Sequence, residues 1–240
     1  MRYLALASDY DGTLADQGTV RPSTLDALKR FRDSGRQLLL VTGREVEDLK
    51  AVFPEWKVFH WIVGENGAVL SETETEVETL LCHPPPPRFA ETLRRKNVSP
   101  LQVGRVIVAT LKDQKDQVLD TIHELGLELQ IIFNKSSLMV LPSGVNKATG
   151  LKACLARISL SLHDTVAVGD AENDYAFLSI CERSVAVANA LPALQERADF
   201  TTAGSYGAGV AELIGQILDN DLASVSARHR PESTCFGHEN

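Results

Sequence analysis

Apolar residues in this chain fall into two alternating patterns: short unbroken runs, and stretches in which they recur every three or four positions. Residues 3–7, 38–41, 61–63 and 166–168 are unbroken runs, and with Gln37 and Thr165 opening the second and fourth they have the length and composition of strands buried on both faces. Between the first two, Leu25, Leu28 and Phe31 mark one side of a helix that Pro22 opens and Gly35 closes. A shorter helix is predicted over residues 45–53. Gly64 ends the third run, and Asn66-Gly67 supplies turn chemistry for a small hairpin. Residues 71–78, where glutamate alternates with threonine and valine, read as a solvated edge strand. Strand alternating with helix predicts an α/β fold, a Rossmann-like doubly wound parallel sheet.

The run His83-Pro84-Pro85-Pro86-Pro87 breaks this pattern, because consecutive prolines favour a stiff extended connector over a helix or sheet interior. After it come a helix over 88–96, a strand over 106–110, a helix over 113–125, and strands over 129–133 and 138–141. Pro142-Ser143-Gly144 closes that block. A helix over 147–157, the 165–168 run, short strands at 184–187 and 200–201 and a helix over 209–218 then resume the first pattern. The expected organisation is a discontinuous catalytic core, residues 1–82 and 143–218, with a small α+β cap, 83–142, inserted in it. Residues 219–240 show no periodicity and read as a flexible tail or linker.

Composition narrows the partners. With 24 Lys+Arg against 32 Asp+Glu the formal charge is −8, so no electrostatic footprint for nucleic acid or an anionic membrane surface is present. The apolar run at the amino terminus is too short for a signal peptide, and no run reaches transmembrane length. Cys82, Cys154, Cys181 and Cys235 are scattered, which suggests neither a zinc motif nor a disulfide scaffold and makes the cytoplasm the expected location. A small anion remains a candidate partner if local cations or a metal offset the field.

Polar residues at the ends of the apolar runs supply that offset. Asp9 and Asp11 follow the first run, Thr42 the second, and Gly169-Asp170 the 165–168 run, and ligands of open α/β sheets bind beyond the carboxyl ends of the strands. Carboxylates gathered at one spot repel one another unless they share a cation, and a hard, oxygen-liganded ion such as Mg2+ answers that need. Asp9 is the candidate nucleophile and Asp11 the candidate acid and base. Gly12 lets the backbone turn sharply, Thr13 offers a hydroxyl, and Thr42 with Gly43, together with Lys147, are the phosphate-binding candidates. Each has a plainer reading: the aspartates as turn residues, Lys147 as a surface lysine, Asn173 and Asp174 as helix caps. Their joint occurrence at strand ends favours the chemical one.

These residues together resemble the haloacid dehalogenase superfamily, in particular its Cof-type phosphatases with an α/β cap. The resemblance rests on Asp9-Tyr10-Asp11-Gly12-Thr13-Leu14, Val41-Thr42-Gly43-Arg44, Asn146-Lys147-Ala148-Thr149-Gly150-Leu151 and Gly169-Asp170-Ala171-Glu172-Asn173-Asp174. Glu65-Asn66-Gly67-Ala68 and Val187-Ala188-Asn189-Ala190 extend it. It implies Mg2+ held by Asp9, the main-chain carbonyl of Asp11 and Asp170, with Asn173 and Asp174 completing or bracing the site and Arg44 reaching substrate or cap. It also implies hydrolysis of a small phosphate monoester, a sugar phosphate or a phosphoglycolate-like metabolite, through an aspartyl-phosphate. A phosphomutase using the same intermediate, and a non-catalytic metabolite-sensing module of a longer protein, are the alternatives; an additional C-terminal domain or a homo-oligomer is the further partner expectation. Arg105, Asn134 and Lys135 are candidate cap contacts, each expected instead to be solvated surface.

Overall fold

The structure, a computed structural model, describes residues 1–225. One sheet takes β1 (Ala5–Ser8), β2 (Gln37–Val41), β3 (Trp61–Gly64), β4 (Val69–Glu72) and β5 (Glu78–Leu80) from the first part of the chain. A second sheet holds β6 (Gln102–Val103), β7 (Val108–Leu111), β8 (Leu129–Asn134) and β9 (Ser137–Pro142). The chain then returns to the first sheet with β10 (Thr165–Gly169), β11 (Arg183–Ala186) and β12 (Phe200–Thr201). The large sheet has the order β12-β11-β10-β1-β2-β3-β4-β5, parallel from β12 to β3 and antiparallel beyond.

This order reverses beside β1. Its two neighbours are β10 and β2, in a register that sets Ser8 opposite Val168 on one side and Leu40 on the other. Asp9 therefore emerges at the switch point of an open α/β sheet, where crevices form. The helices are α1 (Pro22–Asp33), α2 (Val46–Val52), α3 (Pro87–Arg95), α4 (Lys115–Glu124), α5 (Lys147–Arg157), α6 (Tyr175–Ile180), α7 (Pro192–Arg197) and α8 (Tyr206–Asn220). α1 packs on α8 and α5 on α6, covering the sheet on both faces.

β9 shows how the inserted block is joined to the rest. Leu138 and Val140 point into a separate small core with Phe89 and Leu93 of α3 and Val118 and Ile122 of α4, while Met139 and Leu141 belong to the large core. The two-residue period of a strand thus glues the block's own helices to one face and the large domain to the other.

Two expectations are corrected. Residues 71–78 do not form one strand: Ser71 is buried in β4, Glu76 sits at φ 58°, and the chain folds back as β5. The Thr73 hydroxyl donates to the carbonyls of Phe59 and His60, ending β4 where alternation alone would extend it. The last helix begins at Tyr206 and runs to Asn220 rather than ending at residue 218, and beyond it Leu222 is buried. The tail expected from residue 219 is therefore docked at its start; residues 226–240 lie outside the described residues.

That docking has an electrostatic component. Asp221, at φ 51°, accepts from the Arg36 guanidinium at 2.9 Å and from the Arg2 amide at 3.1 Å, and Arg36 itself is buried. Burial alone would raise the Asp221 carboxyl, but these two donors outweigh it and hold the carboxyl below its ordinary value. A depressed carboxyl contributes stability that is complete above the unfolded value and is lost as pH falls through the folded one. Asp221→Asn, which keeps a side chain tolerant of left-handed backbone, is expected to cost roughly 1–2 kcal/mol at pH 7. Urea melts should show the gap closing below about pH 4.

Candidate active site

The loop after β1 is built for close approach. The Tyr10 carbonyl collects the amides of Thr13, Leu14 and Ala15, winding the chain back on itself. Gly12 sits at φ +93°, and a Cβ there would lie 2.4 Å from Asp170 Oδ2, so any side chain would be driven into the site. Asn189 fixes the loop from below, donating Nδ2 to the Gly12 carbonyl at 2.8 Å and accepting the Tyr206 amide at 2.7 Å.

Lys147 reaches the centre because Asn146 caps α5, its Oδ1 accepting the amides of Ala148 and Thr149 at 2.9 and 3.1 Å. Lys147 is then the first residue of the helix, and its Nζ lies 2.5 Å from Asp9 Oδ1 and 2.6 Å from Asp174 Oδ1. The side chain is 1% exposed. The neighbouring turn Glu65–Gly67 supports this helix start: Gly67, at φ +105°, packs so closely that a Cβ would stand 2.0 Å from the Asn146 carbonyl oxygen.

Asp170 follows β10 directly. It accepts from the Thr13 hydroxyl at 2.9 Å on Oδ1 and from Lys135 Nζ at 2.8 Å on Oδ2. Asp174 folds back to receive the amides of Asp170 and Ala171 at 2.8 and 2.9 Å. Asp9, Asp170 and Asp174, all buried, bring carboxylate oxygens within 4.8 Å of one another. Burial, then repulsion from Asp174 and Asp170 against the pull of Lys147, pushes the Asp9 carboxyl well above the usual range. Asp170 is raised by burial and by Asp174, against Lys135 and Thr13. For Lys147 burial works against the ammonium, but Asp174 and Asp9 prevail and hold it charged.

An all-oxygen set of buried carboxylates fits a hard divalent cation. Asp174 is held by the buried Lys147 and two main-chain amides, whereas Asp170 Oδ2 meets only the half-exposed Lys135, so Asp9 and Asp170 are the better placed to ligate, with Asp174 bracing the loop. Asn173 lies beside them with its Oδ1 buried and lacking a protein partner, while its Nδ2 faces Asn66 Oδ1 at 3.3 Å.

Thr42 is buried at the end of β2, where its Oγ1 accepts the Arg44 amide at 3.1 Å, and Gly43 lines the cleft floor. Arg44 turns its fork to Asp11, with contacts of 2.6 and 2.8 Å, and its remaining nitrogen to Asp48 at 2.5 Å. In this conformation Arg44 therefore engages residues of the large domain rather than of the cap. Asp9, Asp11, Gly43 and Arg44 form one wall of a cleft of about 370 Å³; Ile107, Asn134, Lys135 and Met139 of the inserted block form the other.

Of the three residues expected to be solvated surface, Lys135 is placed otherwise, since it crosses the cleft to Asp170. Asn134 lines the cleft, and Arg105 pairs with Glu78 on the large domain. A further residue carries a role that its motif alone does not disclose. Glu65, buried and at φ 48°, receives the amides of Arg105, Val106 and Ile107 at 2.9, 2.7 and 2.8 Å, fastening the inserted block to the sheet. Its partners lie some forty positions downstream, beyond the reach of any local pattern.

An open α/β sheet with this centre at its switch point defines a class of hydrolases. Residues 6–99 and 88–214 match the haloacid dehalogenase-like hydrolase family, and the chain belongs to it. Phosphoglycolate phosphatase 2 of Saccharolobus solfataricus is 30% identical over 229 residues, covering 91% of this chain and 94% of that protein. A phosphoglycolate phosphatase of Methanothermobacter thermautotrophicus is 28% identical, covering 89% and 98%. Among solved structures, a haloacid dehalogenase-like hydrolase from Bacteroides thetaiotaomicron has a TM-score of 0.77 at 20% identity, covering 90% and 99%. A sugar phosphatase of HAD subclass IIB has a TM-score of 0.72 at 18% identity, covering 89% and 98%. No helix among the described residues is long and apolar enough to cross a membrane.

Proposed function

We propose that this phosphoric monoester hydrolase is a Mg2+-dependent phosphatase that works through a phosphoryl group carried on Asp9. The observation that carries the reading is the convergence of Asp9, Asp170 and Lys147 on one buried point, where Asp9 opens onto a cleft. A bound Mg2+, held by Asp9, Asp170 and the Asp11 main-chain carbonyl, would neutralise charge between carboxylate and phosphate.

Asp9 attacks phosphorus, the ester P–O bond breaks, and Asp11 gives its proton to the leaving oxygen. For that, Asp11 exchanges the Arg44 fork for the leaving group. Water then attacks the acyl phosphate, Asp11 takes its proton, and inorganic phosphate leaves with Asp9 restored. Thr42, Gly43 and Lys147 hold the phosphoryl oxygens, Lys147 meeting the charge that develops on them. The names of the relatives support 2-phosphoglycolate or a small sugar phosphate as substrate.

Phosphate release from a panel of small monoesters tests this. Turnover should require Mg2+, fall to background in EDTA and return on adding the metal; undiminished turnover in EDTA contradicts the reading.

A further inference from the structure

We propose that Lys135 selects substrates with an anionic leaving group, and that it is handed from Asp170 to the substrate when a divalent cation takes that carboxylate. The inference rests on the phosphatase reading above. Thr13 already occupies Asp170 Oδ1, which leaves Oδ2, the atom that Lys135 holds at 2.8 Å, as the oxygen open to a cation. Ammonium and metal are therefore alternatives for one atom.

Displaced, the Lys135 ammonium remains beside the cleft that its residue lines. Arg44, the other cation lining that cleft, is paired with Asp11 and Asp48, and it keeps Asp48 when Asp11 turns to the leaving group. The remaining charged residues of the lining, Asp9, Asp11, Glu45 and Asp48, give it an acidic character that repels a substrate anion unless Lys135 receives it. The hairpin fixes where the side chain starts: β8 and β9 pair up to Asn134 and Ser137, and Lys135 holds the turn between them at φ 51°. The cleft of about 370 Å³ has room for a carboxylate one or two carbons from the ester oxygen.

The side chain is 51% exposed at a turn, so its replacement leaves the cores untouched. With Lys135→Met, kcat/KM for 2-phosphoglycolate should fall on the order of tenfold to a hundredfold, the scale of one charge-assisted hydrogen bond, mainly through KM. β-Glycerophosphate, whose leaving group is neutral, should change less than about threefold, and Lys135→Arg should keep the preference. Without substrate, Mn2+ titrated calorimetrically should bind Lys135→Met at least about threefold more tightly than wild type, because the competing ammonium is gone. Equal losses on both esters, no loss on 2-phosphoglycolate, or Mn2+ binding that is unchanged or weaker overturns the proposal. A wild-type protein that hydrolyses neither ester removes the reaction and the leaving-group role together, whereas the Mn2+ titration needs no turnover and judges the exchange by itself.

Discussion

Asp9→Asn is expected to lower kcat by roughly a thousandfold or more while the protein stays folded. The amide has the shape of the carboxylate but no nucleophilic oxygen anion. Folding should survive because the substitution removes one of three buried negative groups that repel one another. Lys147 keeps Asp174 at 2.6 Å, so its ammonium is not left unpaired. Circular dichroism and urea melts should place the variant within about 1 kcal/mol of wild type, which separates lost chemistry from lost structure. Wild-type rates in the variant would remove Asp9 from the reaction.

Lys147→Met is expected to do both kinds of damage. A methionine fills much the same volume, but Asp9 and Asp174 then face each other, buried, without the cation that lies 2.5 and 2.6 Å from them. Removing one partner of a buried ionic cluster costs about 3–5 kcal/mol, a large share of a domain's stability. Where the variant still folds, the phosphoryl oxygens lose their donor in the transition state, and turnover should fall roughly a hundredfold to a thousandfold further. Melting temperature and kcat measured on the same preparation check the pair; loss of activity at unchanged stability would show that Lys147 does not hold the cluster together.

Both variants concern residues that were readable in advance, for a physical reason. A strand buried on both faces cannot avoid an unbroken apolar run, and β1, β2, β3 and β10 each show one. Asp9, Thr42 and Asp170 stand directly after such runs, so parallel pairing is enough to bring them together. The Asn146 cap is equally local, since it bonds amides two and three positions on.

What escaped the sequence depends on partners far away along the chain. Alternation over residues 71–78 reports a tendency to be extended, but the Thr73 hydroxyl finds carbonyls thirteen and fourteen positions back, and the strand turns. Lys135 looks like any lysine in a polar hairpin turn until the inserted block is laid over the sheet and Asp170 comes within 2.8 Å. Asp221 follows the last periodic residues, and the buried Arg36 and the Arg2 amide, 185 and 219 positions earlier, make it an anchor. Hydrophobic periodicity records which side of an element is buried; it carries no record of what the polar side meets.

In the proposed reaction Asp9 is the residue that receives phosphorus. Wild-type protein with Mg2+ and a 32P-labelled monoester, quenched in acid within one turnover and digested, reads this directly. The expected result is hydroxylamine-labile label on the peptide containing Asp9, at that residue by mass spectrometry. Phosphate released in the first turnover with no acyl phosphate formed, or label borne by Asp11 or any other side chain, would contradict it.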